Sequence, residues 1–475
     1  MLKRIVLVLG AAFALRAQTY DIVIRNGRVM DPQTKLDAVR NVGLRGGKIA
    51  AISPGALEGK RMIDAANMMV APGFIDLHWH GKEPGSDRYE VMDGVTSSLE
   101  LEIGTADVAG WYKAREGTSL IHHGVAAGHP PVRMEVLHDS GDFLPVDKAA
   151  FDRATDENIS TMKMRLEQEL KKGAVAVGFG IAYTQSASYW EILEMFRLAA
   201  RYGASCHVHM RGASSMIRDD NGPVSGLSEV LAAAAITGAS LHVVHINSSS
   251  QNGIDKTLQM IAEARKRGVD VTTEAYPYTA GATRIESALF DDYSTRKDID
   301  FSKLQWVATG ERLTRDTFLK YRKERGTVIV HSNSEENVRK AVTSRLAMIA
   351  SDGFDITPNG HPRSAGTFTK VLRQYVREEK SLTWMEALSK MTDQPARRLE
   401  KRVPSMKAKG RLQVGADADI VVFDPATVRD VSTYEKPAQE AIGMRYVLVN
   451  GTLVVDGGKI SDAGFPGKAI RASIQ

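Results

Sequence analysis

The segment from Ala71 to His80 reads APGFIDLHWH, an apolar run that ends in a pair of histidines. The run is typical of a buried strand, and Gly81 directly after it indicates a loop. Side chains two positions apart on a strand lie on one face, so His78 and His80 can bind the same metal ion. The His-x-His pattern also occurs in solvated loops, but its place at the end of a buried strand favours a metal site.

Apolar segments alternate with segments of helical periodicity between residues 71 and 405, which is typical of parallel strands joined by crossover helices. Eight or nine candidate strands predict a (β/α)8 TIM barrel with insertions, whose chemistry lies at the C-terminal strand ends. An open doubly wound sheet is less consistent, because the first βα unit has no Gly-x-Gly-x-x-Gly turn. The candidate strands are residues 74–77, 91–103, 119–126, 174–179, 205–210, 241–246, 269–275, 328–330 and 348–351.

Both ends of the chain, residues 18–70 and 406–475, contain short β segments separated by turns. In the first end, Asn26-Gly27 predicts a tight turn between two strands. Neither end has enough apolar surface to be stable alone, so we expect both to form one small β-sandwich. The predicted architecture is a barrel domain over residues 71–405 and a sandwich domain built from both ends.

The 475 residues are 43% hydrophobic, 25% charged and 7% aromatic, which is ordinary for a globular protein and excludes a mostly disordered chain. The length exceeds what one hydrophobic core usually supports, in agreement with two domains. The net charge is +5, but like charges do not form long runs, so we expect no nucleic-acid partner. Cys206 is the only cysteine, which excludes an internal disulfide.

The N-terminus has the features of an export signal. Lys3 and Arg4 precede an apolar run over residues 5–13, and residues 12–14 form a small-x-small cleavage site. We therefore expect residues 1–17 to be a signal peptide and the mature protein to be exported, either periplasmic or secreted. A buried first strand is the alternative. No apolar run reaches the roughly 18 residues of a bilayer span, so no membrane span is expected.

Apolar and acidic residues alternate at the end of the segment 96–103, which reads TSSLELEI. The outer face of a parallel barrel packs on helices and is apolar, which places Glu100 and Glu102 on the inner face. Buried carboxylates are costly unless they are paired or bind metal. Glu102 lies nearer the barrel mouth and is the better ligand candidate, whereas Glu100 is expected to hydrogen-bond one layer deeper. The choice between them stays open, and a solvated edge strand is the alternative.

Three later residues at strand ends complete the candidate site. His209 and His245 each lie near the end of a strand and are predicted metal ligands, whereas His207 is expected inside the barrel. His242 is expected on the opposite face from His245 and in a structural role. Asp352 follows a late apolar segment, where an aspartate can bind metal and transfer a proton, although Ser-Asp-Gly is also common in turns.

Together these residues predict a two-metal site. Imidazole and carboxylate ligands suit zinc, a carboxylate can bridge two ions, and zinc lowers the pKa of a bound water towards neutrality. We therefore expect one or two zinc ions as the cofactor. The sequence has no Gly-x-Ser-x-Gly, Gly-x-x-x-x-Gly-Lys-Ser/Thr or Cys-x-x-Cys motif. It therefore lacks the signatures of a serine nucleophile elbow, a phosphate-binding loop and a cysteine-pair site.

The chain resembles the amidohydrolase superfamily in residues 71–80 and in the tail segment 409–420, which reads KGRLQVGADADI. Further motifs are similar to those of the N-acyl-D-amino-acid deacylases, or D-aminoacylases, over nearly the whole chain after the predicted signal. These motifs are Gly128-His129 with Arg133, His209-Met-Arg211, Tyr276-Pro-Tyr-Thr-Ala-Gly281, Ser351-Asp-Gly353, His361-Pro-Arg363 with Gly366-Thr-Phe368, and Val422-Phe-Asp-Pro-Ala-Thr427.

The resemblance implies specific roles at matching positions. It implies that Asp352 is a metal ligand and the proton shuttle, and that Tyr276 and Arg363 bind the substrate. A guanidinium group forms paired hydrogen bonds with a carboxylate, and a phenol can donate to that carboxylate or to the scissile carbonyl. The metal ligands implied by the resemblance are His78, His80, His209 and His245.

Three positions depart from the family pattern. The D-aminoacylases place a bridging cysteine late in the second strand, where this chain has Glu100-Leu-Glu102. A lysine after the sixth-strand histidine is Asn247 here, and a serine after the Tyr-Pro-Tyr turn is Ala282. Asn247 and Ala282 lie at the expected substrate pocket, where Asn247 is a predicted substrate contact.

The resemblance implies a metal-dependent hydrolase of linear amides, with a small-molecule N-acyl-D-amino acid as its substrate, and the N-terminal pattern predicts that it is exported. The changes at Asn247 and Ala282 keep a second amidohydrolase reaction open, namely dipeptide or cyclic-amide hydrolysis. A non-catalytic metal-binding protein on the same barrel is a further alternative.

Overall fold

The structure, a computed structural model, describes residues 19–212 and 222–474, apart from the side chain of Pro84. The predicted signal peptide at residues 1–17 lies outside the described residues. Among the helices within those two ranges, none is long and apolar enough to cross a bilayer.

The strands of the described chain form three sheets. In chain order they are β1 (Tyr20–Asp31), β2 (Leu36–Arg45), β3 (Lys48–Ser53), β4 (Gly59–Asp64), β5 (Met69–Pro72), β6 (Phe74–Asp76), β7 (Val95–Thr105), β8 (His122–Gly128), β9 (Ala176–Gly180), β10 (Ser205–His209), β11 (Ser240–Val243), β12 (Val271–Ala275), β13 (Ala280–Arg284), β14 (Leu304–Trp306), β15 (Thr327–His331), β16 (Ala347–Ile349), β17 (Ile420–Phe423), β18 (Met444–Val449), β19 (Thr452–Asp456) and β20 (Lys459–Ile460).

Helices alternate with the barrel strands, and a π-helix over Val371–Glu378 continues α12. In chain order the α-helices are α1 (Asp87–Met92), α2 (Val108–Arg115), α3 (His129–Leu137), α4 (Lys148–Phe151), α5 (Asp156–Lys171), α6 (Tyr189–Arg201), α7 (Gly222–Thr237), α8 (Ile246–Ser250), α9 (Ile254–Lys266), α10 (Arg315–Glu324), α11 (Glu335–Thr343), α12 (Arg363–Lys370), α13 (Trp384–Met391) and α14 (Asp393–Leu399).

The helix α5 shows how the local sequence determines these elements. Thr155 begins the helix, because its hydroxyl accepts a hydrogen bond from the backbone N–H of Asn158 at 3.2 Å. Ile159, Met162 and Leu166 recur every three or four residues, are buried and belong to the main hydrophobic core. This spacing places one apolar stripe of the helix against the barrel.

Eight strands pair in parallel in the order β6-β7-β8-β9-β10-β11-β12-β16. The two ends of this sheet lie next to each other, since the backbone N–H of His80, just after β6, donates to the carbonyl of Gly353, just after β16, at 2.8 Å. The backbone N–H of Ser351 also donates to Oδ1 of Asp76 at 3.1 Å. The sheet is therefore a nearly closed barrel, and the predicted fold class is confirmed.

The two chain ends form one sheet domain, in which β5 pairs antiparallel with β17. Its core includes Ile24, Val42, Ile420 and Leu448, all buried. The predicted turn at Asn26-Gly27 is wrong, because β1 runs through this dipeptide with a β-bulge and Asn26 adopts φ +62°. Gly27 serves close packing instead, since a Cβ there would lie 2.4 Å from a methyl carbon of Val70.

An inserted sheet lies between the last two barrel strands. Residues 328–330, expected in the barrel, belong to β15, which pairs antiparallel with β13 and β14. The insertion has its own aromatic core around Phe290, Trp306 and Phe318, and this core also includes Ile103 and Tyr183 from the barrel domain. A short apolar run does not reveal its partner strand, so the sequence could not distinguish this insertion from a barrel strand.

Asp419 connects the sheet domain to the barrel through a buried ionic cluster. Its Oδ1 lies 3.0 Å from Nε2 of His122, and its Oδ2 accepts a hydrogen bond from Nζ of Lys409 at 2.7 Å. The backbone N–H of Asn450 also donates to Oδ1 at 2.7 Å. Burial opposes ionisation, but His122 and Lys409 hold the pKa of Asp419 well below its usual range. Such a cluster stabilises the domain contact only while every charge has its partner.

Replacement of Asp419 by alanine should lower the free energy of unfolding by about 3 kcal/mol, because a buried cation loses a direct partner. Thermal denaturation followed by circular dichroism measures the change. Asp37→Ala is the control, since Asp37 pairs with Arg28 on the surface with 37% of its side chain exposed. An exposed pair contributes at most about 1 kcal/mol. Equal shifts in both variants would contradict the assigned role of the cluster.

Candidate metal centre

Six of the predicted site residues meet at the barrel mouth, each at or just beyond the C-terminal part of a parallel strand. Parallel strands end at one rim of a barrel, so residues distant in sequence converge there. The residues are His78 and His80 after β6, Glu102 in β7, His209 at the end of β10, His245 after β11 and Asp352 after β16.

The carboxylate of Glu102 lies between two pairs of histidines. Its Oε1 is 2.7 Å from Nδ1 of His209 and 3.0 Å from Nε2 of His245. Its Oε2 is 3.4 Å from Nε2 of His78 and 3.3 Å from Nε2 of His80. Each carboxylate oxygen therefore faces one pair of imidazoles, which is the arrangement of a ligand that bridges two ions.

Asp352 approaches only one of these histidine pairs. Its Oδ1 lies 3.4 Å from Nε2 of His78 and 3.4 Å from Nε2 of His80. Its Oδ2 lies 2.7 Å from a guanidinium nitrogen of Arg363, whose side chain is fully buried. The potential ligand atoms form two groups, in each of which all atoms lie within 4.8 Å of one another. The first group is His78, Glu102 and His245, and the second is His78, His80 and Asp352.

The donor set fits a divalent metal ion. Glu102 and Asp352 are buried, and burial opposes the ionisation of both. The surrounding histidines hold the pKa of Glu102 well below its usual range, and Arg363 and His78 lower the pKa of Asp352 to about 2. Burial also opposes protonation of His78, but Asp352, Glu102 and Glu274 raise its pKa. Buried anions that attract a proton onto an imidazole equally attract a divalent cation bound by nitrogen and oxygen atoms.

Two residues of this cluster have backbone conformations that non-glycine residues rarely adopt. His245 has φ +29° and Asp352 has φ +54°. Such conformations cost on the order of 1–3 kcal/mol each and persist only where the surroundings enforce them. Their occurrence at two residues of the same cluster indicates that the barrel positions these side chains for a function.

Glu100 lies on the inner face of β7 beside Glu102, and its contacts differ. Its Oε2 contacts Nδ1 of His80, and its Oε1 accepts hydrogen bonds from the backbone N–H groups of Ile103 and Gly104. Glu100 therefore holds the ring of His80 from the side opposite to Glu102. Contacts of this kind orient a histidine ligand and set its tautomer.

Sequence reasoning missed Glu274, which occupies the same position relative to His78. Its Oε1 lies 2.6 Å from Nδ1 of His78, and its side chain is 1% exposed. A signal was present, because Glu274 is an acidic residue within a predicted barrel strand, as are Glu100 and Glu102.

The expected orientation of His242 is wrong. Its side chain is buried and Nε2 lies 2.9 Å from Oε2 of Glu274, inside the barrel. The strand β11 ends at Val243, and the chain then turns through the unusual φ of His245. The alternation of faces therefore does not extend from His242 to His245.

A cavity of about 590 Å³ opens above the histidines and is covered by the inserted sheet. Oη of Tyr276 and Nε of Arg363 are buried and have no hydrogen-bond partner among the described residues. The guanidinium of Arg363 lies 4.9 Å from the ring centroid of Tyr276. Burial raises the pKa of Tyr276 to about 12, so its phenol keeps its proton and can donate. These two side chains offer unused donors beside Asp352.

Asn247 is positioned differently from Tyr276 and Arg363. Its Nδ2 donates to the backbone carbonyl of Tyr276 at 3.2 Å, and its Oδ1 accepts from the backbone N–H of Tyr276 at 3.3 Å. Both ends of the amide are therefore used within the protein. The structure gives the predicted substrate contact of Asn247 no support, and the side chain instead fixes the segment that carries Tyr276.

The comparisons with known proteins identify the family of this chain. The amidohydrolase family model matches residues 133–455. The chain is 31% identical to the N-acyl-D-glutamate deacylase of Alcaligenes xylosoxydans xylosoxydans, over 91% of this chain and 93% of that protein. It is 26% identical to the D-aminoacylase of the same organism, over 92% and 95% of the two chains. The chain therefore belongs to the amidohydrolase family, and its resemblance to the D-aminoacylases is confirmed.

A solved structure supports the same relationship. The N-acyl-D-glutamate deacylase of Bordetella bronchiseptica, complexed with zinc and a phosphonate inhibitor that mimics the tetrahedral intermediate, superposes with a TM-score of 0.81. The two sequences are 27% identical, and the match covers 96% of this chain and 100% of that chain. The barrel and the sheet domain thus share the fold of a zinc-containing relative.

Replacement of Glu102 by alanine should lower the amount of metal bound per chain, because both pairs of histidines lose their shared carboxylate. Elemental analysis of the dialysed protein measures the ratio. Glu100→Ala is the matched comparison and should lose less metal than Glu102→Ala, since Glu100 contacts the ring of only one of the four histidines, His80, in the described structure. A loss of metal in Glu100→Ala with full retention in Glu102→Ala would show that the ligand is assigned one layer too high.

Proposed function

We propose that this protein is a zinc-dependent N-acyl-D-amino-acid deacylase, which hydrolyses the amide to a carboxylate and a free D-amino acid. The observation that carries the proposal is the carboxylate of Glu102 between two histidine pairs, with Asp352 beside one of them. The preference for the D configuration rests on the relatives, which are named N-acyl-D-glutamate deacylase and D-aminoacylase. Zinc is proposed because the ligands are imidazoles and carboxylates and because one relative was solved with zinc.

When bound, zinc would polarise the scissile carbonyl and lower the pKa of the attacking water. The residues that would hold it are His78, His80, Glu102, His209, His245 and Asp352. The chemistry that remains for the protein is proton transfer and substrate orientation.

Asp352 is suited to proton transfer. Its Oδ1 faces the histidine pair, and its Oδ2 is held by Arg363 at 2.7 Å. In the proposed reaction Asp352 accepts a proton from the water as the water oxygen attacks the acyl carbon. It then gives that proton to the amide nitrogen, the C–N bond breaks and the amine leaves.

Tyr276 and Arg363 are suited to bind the substrate. Both have buried donor atoms without partners in the described protein, and such donors are costly unless a ligand satisfies them. Oη of Tyr276 can donate to the scissile carbonyl or to the carboxylate of the amino acid, and the guanidinium of Arg363 can bind that carboxylate. The insertion between β12 and β16 contributes both apolar and charged residues to the remainder of the cavity lining, among them Leu289, Phe290, Leu304, Arg296 and Lys303.

Replacement of Asp352 by asparagine should reduce turnover by about 10²- to 10⁴-fold, the usual contribution of a positioned acid–base group. The amide keeps the shape and one oxygen of the side chain, so we expect metal to be retained. Steady-state rates together with metal analysis of the same sample test this. A near-native rate would eliminate Asp352 as the proton shuttle.

Incubation of the zinc-loaded protein with panels of N-acetyl-D- and N-acetyl-L-amino acids should release free amine from the D panel only. The release should stop after treatment with a chelator. Amine detection with a fluorogenic reagent measures it, and the best D substrate identifies the side chain that the cavity accepts. Release from neither panel would refute the deacylase and favour dipeptides or cyclic amides, which Asn247 and Ala282 leave open.

A further inference from the structure

Glu274 is the one acidic residue of β12, and it contacts His78 of the metal centre from inside the barrel. Its Oε1 lies 2.6 Å from Nδ1 of His78. Because a carboxylate only accepts hydrogen bonds, this contact assigns the proton of His78 to Nδ1. The lone pair of Nε2 then faces Glu102 and Asp352, each with an oxygen 3.4 Å away. The contact thus leaves the correct nitrogen of His78 for a metal ion.

A chain of hydrogen bonds continues from Glu274 to the opposite end of the barrel. Its Oε2 lies 2.9 Å from Nε2 of His242, and Nδ1 of His242 lies 2.7 Å from Oγ1 of Thr272. A guanidinium nitrogen of Arg398 lies 3.4 Å from the same Oγ1. Arg398 is in turn paired with Asp270 at 2.8 Å.

The donor and acceptor properties of these groups fix the direction of every hydrogen bond in this series. Glu274 can only accept, so His242 donates from Nε2. Burial lowers the pKa of His242, so the ring is neutral and its Nδ1 accepts from the hydroxyl of Thr272. Arg398 can only donate, and it does so to the oxygen of Thr272. Each hydrogen bond in the series is therefore donated in the direction of Glu274. Glu274 accepts from His78 on Oε1 and from His242 on Oε2.

This polar layer is unusual for a barrel interior. In the register of the strands His207 is paired with His242 and His242 with Thr272, so the three form one layer below the metal centre. The rings of His207 and His242 have centroids 4.7 Å apart. Such layers are normally filled by branched apolar residues, and polar groups there are costly unless they are hydrogen-bonded. The layer costs stability that an apolar core would not, which indicates a role for its contacts.

We propose that Glu274 is a positioning residue of the metal centre, which orients His78 so that Nε2 faces the ion, and that His242 and Thr272 hold Glu274 in turn. The inference rests on the metal centre of the proposed function and is independent of the substrate. Carboxylates that hold the second nitrogen of a histidine ligand raise its basicity and typically change metal affinity by about 10- to 100-fold.

Zinc titration of the metal-free protein against a chromophoric chelator tests the proposal without measuring turnover. Glu274→Gln removes the charge and keeps the shape, and it should weaken zinc binding by about 10- to 100-fold. Glu169→Gln is the matched control. Glu169 is a buried glutamate in α5 that accepts a hydrogen bond from the backbone N–H of Val108, and the variant protein should bind zinc with wild-type affinity. The absorption spectrum of the cobalt-loaded protein should change in Glu274→Gln and not in Glu169→Gln.

The pair Thr272→Val and Thr272→Ser tests the chain independently of Glu274. Valine removes the hydroxyl at nearly constant volume and should weaken zinc binding by about 2- to 10-fold, the value of one neutral hydrogen bond. Serine restores the hydroxyl and should restore the affinity. This pair decides the matter if Glu274→Gln does not fold.

Wild-type zinc affinity in folded Glu274→Gln, or equal affinities in the two Thr272 variants, would overturn the proposal. If zinc binding weakens as expected while the wild type hydrolyses no amide, the positioning role stands and the proposed reaction fails.

Discussion

The carboxylate of Glu102 imposes the central constraint on this molecule, because it is buried between four imidazoles inside a barrel. A charge in such a place must be neutralised by partners at short distance. Those partners come from three other strand ends that are far apart in sequence. The barrel must therefore close with its strands in one register for the four histidines to meet one carboxylate. The position of this single side chain thus depends on the whole domain, and the chemistry of the site depends on it.

The contact between the first and last barrel strands gives this constraint its structural basis. Oδ1 of Asp76 accepts hydrogen bonds from the backbone N–H groups of His78 and Ser351, at 3.0 and 3.1 Å. One carboxylate oxygen thus fixes the backbone of His78 and the backbone next to Asp352. Asp352, with its unusual φ, directly follows Ser351. The hydrogen bond from Ser351 to Asp76 therefore helps to hold the backbone in this strained conformation. The contact that closes the barrel therefore also positions the backbone of two residues of the site.

The sequence predicted the parts of the fold that rest on periodicity and missed those that rest on partners. Alternation in β7 was sufficient to place Glu100 and Glu102 inside, because outward positions must be apolar in a parallel barrel. The same alternation could not show that residues 328–330 pair with an inserted sheet, or that the faces of β11 are interrupted before His245. Glu274 was missed because its partner His78 is 196 residues away. The role of an acidic residue inside a barrel strand can be assigned only when the side chains that face it from other strands are known.

Asn247 and Ala282 show why the substrate is harder to infer than the chemistry. The groups proposed for bond cleavage lie at strand ends, where the barrel leaves little freedom. The groups around the substrate lie on the following segments, where one replacement changes the available donors. The amide of Asn247 is used by the backbone of Tyr276, and Ala282 offers only its backbone carbonyl, 3.4 Å from Arg363. Tyr276 and Arg363 therefore retain the buried donors that a substrate carboxylate or carbonyl would satisfy. The insertion adds Phe290 together with the charged Arg296 and Lys303 to the cavity lining, so both shape and charge of the substrate depend on a segment that lies outside the barrel strands.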